Sequence, residues 1–107
     1  MLGARQAMPV LGLVRSAMRS EMALHIAYAD ENGTESERDI WPVQLAYYEG
    51  KQIIVAWCVM REAFRHFRTD RIVRAVATET RYGRRRLQLT KEWRDEWARL
   101  HPDWQQP

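Results

Sequence analysis

The sequence predicts an α+β protein, mainly β: a small, strongly bent five-stranded barrel with a helix at each end. Three observations carry this. Apolar residues recur at helical spacing in one segment near the start of the chain and in another near its end. Between them lie short runs rich in β-branched and aromatic residues, alternating or continuously apolar. These runs are separated by turn chemistry rather than long connections: Asp30-Glu31-Asn32-Gly33, Glu49-Gly50 and Thr69-Asp70-Arg71.

Residues 1–9 read as a flexible N-terminus ending at Pro9. Val10, Leu11, Leu13, Val14, Ala17 and Met18 then form one stripe, which predicts an amphipathic helix over residues 10–21. The period changes at Leu24, Ile26 and Tyr28, which alternate with Ala23, His25 and Ala27 as in a half-buried strand. Asn32-Gly33 supplies the positive φ of a hairpin. The second strand runs from Glu35 to Tyr48, with Pro42 demanding an edge position, a bulge or a bend. Glu49-Gly50 turns into a third strand over 51–60, whose Ile53 to Trp57 reads as buried, Trp57 as core. Phe64–Arg68 and Ile72–Thr78 complete the set. Phe67 and Ile72 are five residues apart, so one continuous strand would send them to opposite faces. A turn at Thr69-Asp70-Arg71 lets both face inward. Residues 10–80 are therefore the barrel with its leading helix. Residues 81–107 are a basic linker, Arg81 to Arg86, and a helix over 91–100 that Thr90 would cap. Leu89, Trp93, Trp97 and Leu100 lie along its stripe, and His101-Pro102 ends it.

A chain of 107 residues, 46% hydrophobic and 29% charged, is in the range of one ordinary globular domain and outside the disordered class. The net charge of +3 is mild, but 15 of the 17 basic residues are Arg. Arg grips phosphate or carboxylate with a planar fork and stacks on bases, which Lys does not. A GC-rich genome equally explains the excess, but not its clustering: residues 61–86 hold nine Arg against Glu62, Asp70 and Glu79. Cys58 is the single cysteine, which excludes an intrachain disulfide and fits a reducing compartment. No stretch approaches the roughly 18 apolar residues of a membrane span, and no signal-peptide pattern is visible. A cytoplasmic protein with no membrane contact is expected.

The order of elements and several blocks resemble the WYL domain of bacterial transcriptional regulators and some defence-associated proteins. The blocks are Leu24-x-Ile26-x-Tyr28, Arg38-Asp39-Ile40-Trp41-Pro42, Gly50 through Cys58, and Arg65-x-Phe67-Arg68-x-Asp70-Arg71-Ile72. The Trp-Tyr-Leu tripeptide that names the family is replaced by Gln52-Ile53-Ile54 or Ile53-Ile54-Val55. The resemblance spans roughly residues 10–80. It implies an SH3-like (Sm-like) barrel whose basic and aromatic residues bind a regulatory ligand, in several cases nucleic acid or a nucleotide. Such regulators usually carry a winged helix-turn-helix ahead of this domain. Only about twenty residues precede the first strand here, too few for a three-helix DNA-reading unit. The expected partner for DNA reading is a helix-turn-helix protein acting in trans.

The candidate site follows. Single-stranded nucleic acid is held by a cationic groove along its phosphates and by aromatic faces against its bases. Arg38, Arg61, Arg65, Arg68 and Arg71 would supply the groove; Tyr28 and His66, with Tyr47 or Tyr48, would supply the faces. The bland reading of the same arginines is surface ion pairing with Asp39, Glu62 and Asp70, worth about 0–1 kcal/mol each. Tyr28 reads equally as a packed aromatic with its hydroxyl at the barrel mouth, and Asp70 as a turn former that orients arginines. Arg81, Arg84, Arg85 and Arg86 are either solvated linker or an extension of the cationic surface. Catalysis has no support: Cys58 lies in a buried-looking strand, His25, His66 and His101 lack metal-ligand spacing, and no glycine-rich phosphate loop is present. No enzyme, metal or cofactor is expected. The leading expectation is a module sensing single-stranded nucleic acid or a nucleotide. The alternative is an interaction or homo-oligomerisation module, suggested by Trp41, Trp93, Trp97 and Trp104 in so small a chain.

Overall fold

The computed structural model describes residues 9–103. The chain runs α1 (Val10–Ser20), β1 (Met22–Ala29), β2 (Glu35–Tyr48), β3 (Lys51–Cys58), β4 (Ala63–Arg68), a 3-10 turn (Thr69–Arg71), β5 (Ile72–Arg81) and α2 (Arg86–Leu100). Most of the expected N-terminal tail, and Trp104, lie outside the described residues.

Local chemistry sets the turns. Glu21 takes the left-handed conformation, φ 57°, and returns its N–H to the Ala17 carbonyl, ending α1. Asp30 Oδ1 accepts the Asn32 and Thr34 amides at 2.8 and 2.9 Å, with Gly33 at φ 83°, closing the β1–β2 hairpin. Glu49 and Gly50 both have positive φ, the geometry of a two-residue hairpin. Pro42 lies in an interior strand. It is accommodated by a bulge, where pairing moves from Pro42–Ala56 to Gln44–Val55 and Val43 is the extra residue.

The five strands are antiparallel in the order β4-β3-β2-β1-β5. The outer strands β4 and β5 are consecutive in the chain and joined only by the 3-10 turn. In a flat sheet, four strand spacings would separate them by about 19 Å. Three intervening residues span at most about 14 Å even when extended. The sheet must therefore curl until its edges meet at Arg68 and Ile72. It does not close. Among the described residues no ladder joins β4 to β5, so the expected barrel is corrected to an open, curled sheet. At the seam, the Arg68 N–H is taken by the Tyr28 hydroxyl at 3.0 Å.

Both faces of the sheet are covered. On one, Val14 and Ala17 of α1 pack on Leu24, Ile26, Ile40, Ile54, Ala56, Cys58 and Phe67. On the other, Leu89 and Trp93 of α2 pack on Val43, Val55 and Tyr82. Alternation along β3 explains its continuous apolar run, since Ile54, Ala56 and Cys58 enter the first core while Val55 enters the second. Trp57 is half-buried at the margin of the second core, with the Arg84 guanidinium 4.5 Å from its ring centre. Trp41 stacks on both Trp57 and Tyr82, so it is part of this core. A Cβ on Gly83 would meet the Trp41 ring at 2.8 Å; only glycine lets the chain pass this close.

The C-terminal segment departs from expectation. β5 continues to Arg81, and α2 begins at Arg86 rather than 91. Thr90 lies inside the helix, its hydroxyl donating to the Arg86 carbonyl at 2.8 Å, so it is no cap. The start is instead held by Glu21, whose carboxylate accepts the Arg86 N–H and the Arg85 Nε–H, both at 3.1 Å. The arginine run is thus not a solvated linker throughout: Tyr82 is buried and Arg84 pairs with Glu92.

Candidate ligand-binding cleft

The inward stripe of β1 leads from Leu24 and Ile26 to Tyr28. Pairing carries this face across the sheet. Arg38 stands opposite Ile26 and Ser36 opposite Tyr28, while on β4 Arg65 stands opposite Ala56 and Phe67 opposite Ile54. Opposed residues of an antiparallel pair share a face, so Arg38 and Arg65 project to the same side as the first core. That core ends beneath them at Phe67. Around this floor, between the β1–β2 hairpin, β4 and the 3-10 turn, lies a cleft of about 540 Å³. Tyr28, Arg38, Arg65, Phe67 and Arg71 line it, with Asp30 and Glu31 at its rim.

The arginines differ in their commitments. Arg38 donates from Nε to the Ser36 hydroxyl at 3.3 Å and lies with Nη1 3.7 Å from the Cys58 sulfur. Among the described residues, Arg65 and Arg71 have no ion-pair or hydrogen-bonding partner for their guanidinium groups. Asp30 is occupied by its own turn amides. Tyr28 packs edge-on against Phe67, with ring centres 5.1 Å apart, and its hydroxyl accepts the Arg68 amide. The packed reading of Tyr28 therefore describes its contacts, although part of its surface still faces the cleft.

Of the seven residues expected in the site, Tyr28, Arg38, Arg65, His66 and Arg71 border the cleft. The fold places Arg61 and Arg68 outside its lining. Arg61 lies in the exposed β3–β4 turn, outside the cleft lining. Arg68 is engaged bidentately by Asp70, at 3.0 and 2.7 Å, and the pair holds the Asp70 carboxyl below its usual range. His66 borders the cleft, but it alternates with Arg65 and Phe67, and its ring packs on the opposite face against Trp93 and Trp97. Sequence reasoning missed Ser36 and Phe67. Both follow from the parity of Tyr28 once the hairpin register is known.

His66 instead fastens α2. Its Nε2 accepts the Trp93 indole N–H at 3.2 Å, which requires the neutral ring. Burial, and then the charge of His101, lower its pKa from 6.5. The opposite case is His25, whose ring nitrogens lie 2.6 Å from Glu37 and 2.8 Å from Asp39 across the β1–β2 pair. Hydrogen bonds to Glu37 and Asp39 raise its pKa. The signs are therefore opposed. His66 stabilises fully above pH 6.5, and its contribution is lost as the pH falls toward its depressed folded value. His25 stabilises fully below pH 6.5, and its contribution is lost as the pH rises through its raised value. His66→Gln keeps an acceptor but does not titrate, so urea midpoints at pH 7.5 and 5.5 should differ less in this variant than in wild type. His25→Ala should make the acid loss larger. Equal acid sensitivity of His66→Gln and wild type would contradict the assignment.

The register, the two helices and the cleft now stand beside known proteins. Residues 9–77, from the start of α1 into the last part of β5, match the WYL domain family. The chain belongs to the WYL domain family. This places it among regulatory domains. The WYL fold here is also similar to the solved structure of proteasome accessory factor B/C (PafBC) of Arthrobacter aurescens, with a TM-score of 0.65 and 21% identity. The likeness covers 78% of this chain and 13% of that one, and at this identity it concerns the fold. Comparison with curated protein sequences returned no match. Among the described residues, no helix is long and apolar enough to cross a membrane. No cluster of His, Cys, Asp and Glu among them is arranged to hold a metal ion.

Proposed function

We propose that this WYL domain senses an anionic ligand, single-stranded nucleic acid or a nucleotide, in the cleft between β2, β4 and the 3-10 turn. One observation carries the reading: Arg38, Arg65 and Arg71 converge from three different elements on one cavity, and none of the three is in an ion pair among the described residues. A volume of about 540 Å³ is in the range of small-molecule and cofactor sites, roughly 300–1,000 Å³. The guanidinium groups engage phosphate oxygens, and the exposed part of the half-buried Tyr28 ring receives a base. Arg61 and Arg68 lie outside the lining of this cleft, and His66 borders it with its ring packed against α2.

The cleft lies at the open seam of the sheet, so a bound anion bridges strands that no ladder joins. Ligand binding would restrain β4 against the β1–β2 hairpin and pass this change to a partner, a helix-turn-helix protein in trans or a second copy of the chain. The tryptophans behind the oligomerisation alternative carry less weight. Trp41 and Trp93 pack inside the molecule and Trp97 packs on His66 and His101.

Counterion release tests the reading. A fluorescent single-stranded oligonucleotide should bind at low salt, and log affinity should fall against log salt with a slope of about −2 for three phosphate contacts. Absence of binding at low salt, or affinity indifferent to salt, would overturn it.

A further inference from the structure

β4 is a six-residue outer strand with one side of its backbone unpaired by any strand. In an antiparallel ladder, alternate residues turn their N–H and C=O groups toward the neighbour, and the residues between turn them outward. The Arg68 N–H points outward, because it reaches the Tyr28 hydroxyl across the seam rather than β3. By alternation Phe64 and His66 also present their backbone groups to the open edge. Tyr28 thus occupies one position of a strand that is absent.

The two sides of this edge differ in chemistry. On one is the cleft with Arg38, Arg65 and Arg71. On the other, between β4 and α2, is a second groove of about 300 Å³, lined chiefly by Phe64, Trp93, Trp97 and Leu100 with Glu96 at its border. Arg65 and His66 border both depressions, so the edge is the ridge between them. Leu100 is 61% exposed there, a large apolar side chain facing solvent at the end of α2.

We propose that β4 docks an extended segment of a partner protein as an additional antiparallel strand, with acidic and apolar residues alternating. Successive side chains of a strand point to opposite faces. An alternating segment sends its carboxylates toward the arginines and its apolar side chains toward Phe64 and Leu100, while its backbone pairs with Phe64 and His66. Charge complementarity selects this occupant: three arginines outweigh Asp30 and Glu31 on the cleft side. The inference rests on the reading of the cleft as an anion site and adds regulation to it, since a nucleic-acid ligand and the partner strand compete for Arg65.

The test uses the full chain and three probes followed by fluorescence anisotropy. One is an eight-residue peptide alternating Glu and Val; the second has the same composition in two blocks; the third is the single-stranded oligonucleotide. The alternating peptide should bind about tenfold or more tightly than the blocked one, because the blocked one can fill only one side. It should slow hydrogen exchange at the Phe64 and His66 amides. Leu100→Asp should weaken the peptide and leave the oligonucleotide unaffected, and unlabelled oligonucleotide should displace the peptide. Equal affinity of the two peptides, or unchanged exchange at Phe64 and His66, overturns the strand proposal. Oligonucleotide binding without peptide binding overturns this inference alone. Peptide binding without oligonucleotide binding supports the strand and removes the nucleic-acid reading.

Discussion

Phe67→Ala is expected to destabilise the protein by about 3–5 kcal/mol, the range for removing a buried phenyl ring from a packed core. Phe67 is only 2% exposed although it sits on an outer strand. That burial is achieved because the sheet curls, bringing Tyr28 edge-on to the ring and α1 over the same core. Removing the ring leaves a void beneath Arg65 and deprives Tyr28 of the surface that positions its hydroxyl on the Arg68 amide. Urea denaturation followed by circular dichroism should show the loss, with Arg61→Ala, an exposed-turn substitution, within about 0.5 kcal/mol of wild type. A loss below about 1 kcal/mol, at the low end of core substitutions, would mean that the seam is not packed as described.

Trp93→Ala should cost a similar amount, about 3–5 kcal/mol, for a different reason. Trp93 is 6% exposed in the second core beside Leu89, Val55 and Tyr82, and its indole N–H is donated to His66. Truncation removes the more buried of the two tryptophans that hold α2 to the sheet and leaves the half-buried His66 acceptor without its donor. The loss should be local first: amides of α2 should exchange faster than those of β2 and β3. Trp93→Phe keeps most of the apolar contact and should cost about 1–3 kcal/mol, chiefly the unmet hydrogen bond. If α2 stayed as protected as the central strands in Trp93→Ala, the helix would not depend on this contact.

The strands were legible because their signals are local. Alternation at Leu24, Ile26 and Tyr28, the Asn-Gly turn and the separation of Phe67 from Ile72 each act over a few residues, and β2 has the expected bounds. The start of α2 was not legible, because Glu21, which holds Arg86, lies 65 positions away. Thr90 has the side chain of a cap but lies within the helix that the buried Leu89 requires. Barrel closure was equally out of reach. Whether two edges pair depends on the curl of the whole sheet, which no local pattern reports. The site was half legible for a related reason. Sequence spacing grouped Arg61, Arg65, Arg68 and Arg71, but the strand period divides them: Arg65 faces the cleft, Arg68 turns to Asp70 and Arg61 falls in a turn. Arg38 joins through the hairpin register. The same register builds the His25–Glu37–Asp39 cluster, whose members are 12 and 14 residues apart.

That division of the arginines is the central claim, and a paired measurement tests it most directly: salt-dependent oligonucleotide binding by Arg65→Ala and Arg61→Ala. Both remove one positive charge from the same stretch of chain, so a diffuse cationic surface would treat them alike. The cleft predicts that Arg65→Ala weakens binding and reduces the salt slope by about 0.7, one single-strand phosphate contact, while Arg61→Ala leaves both at wild-type values. Equal loss from the two substitutions, or a larger loss from Arg61→Ala, would contradict the cleft.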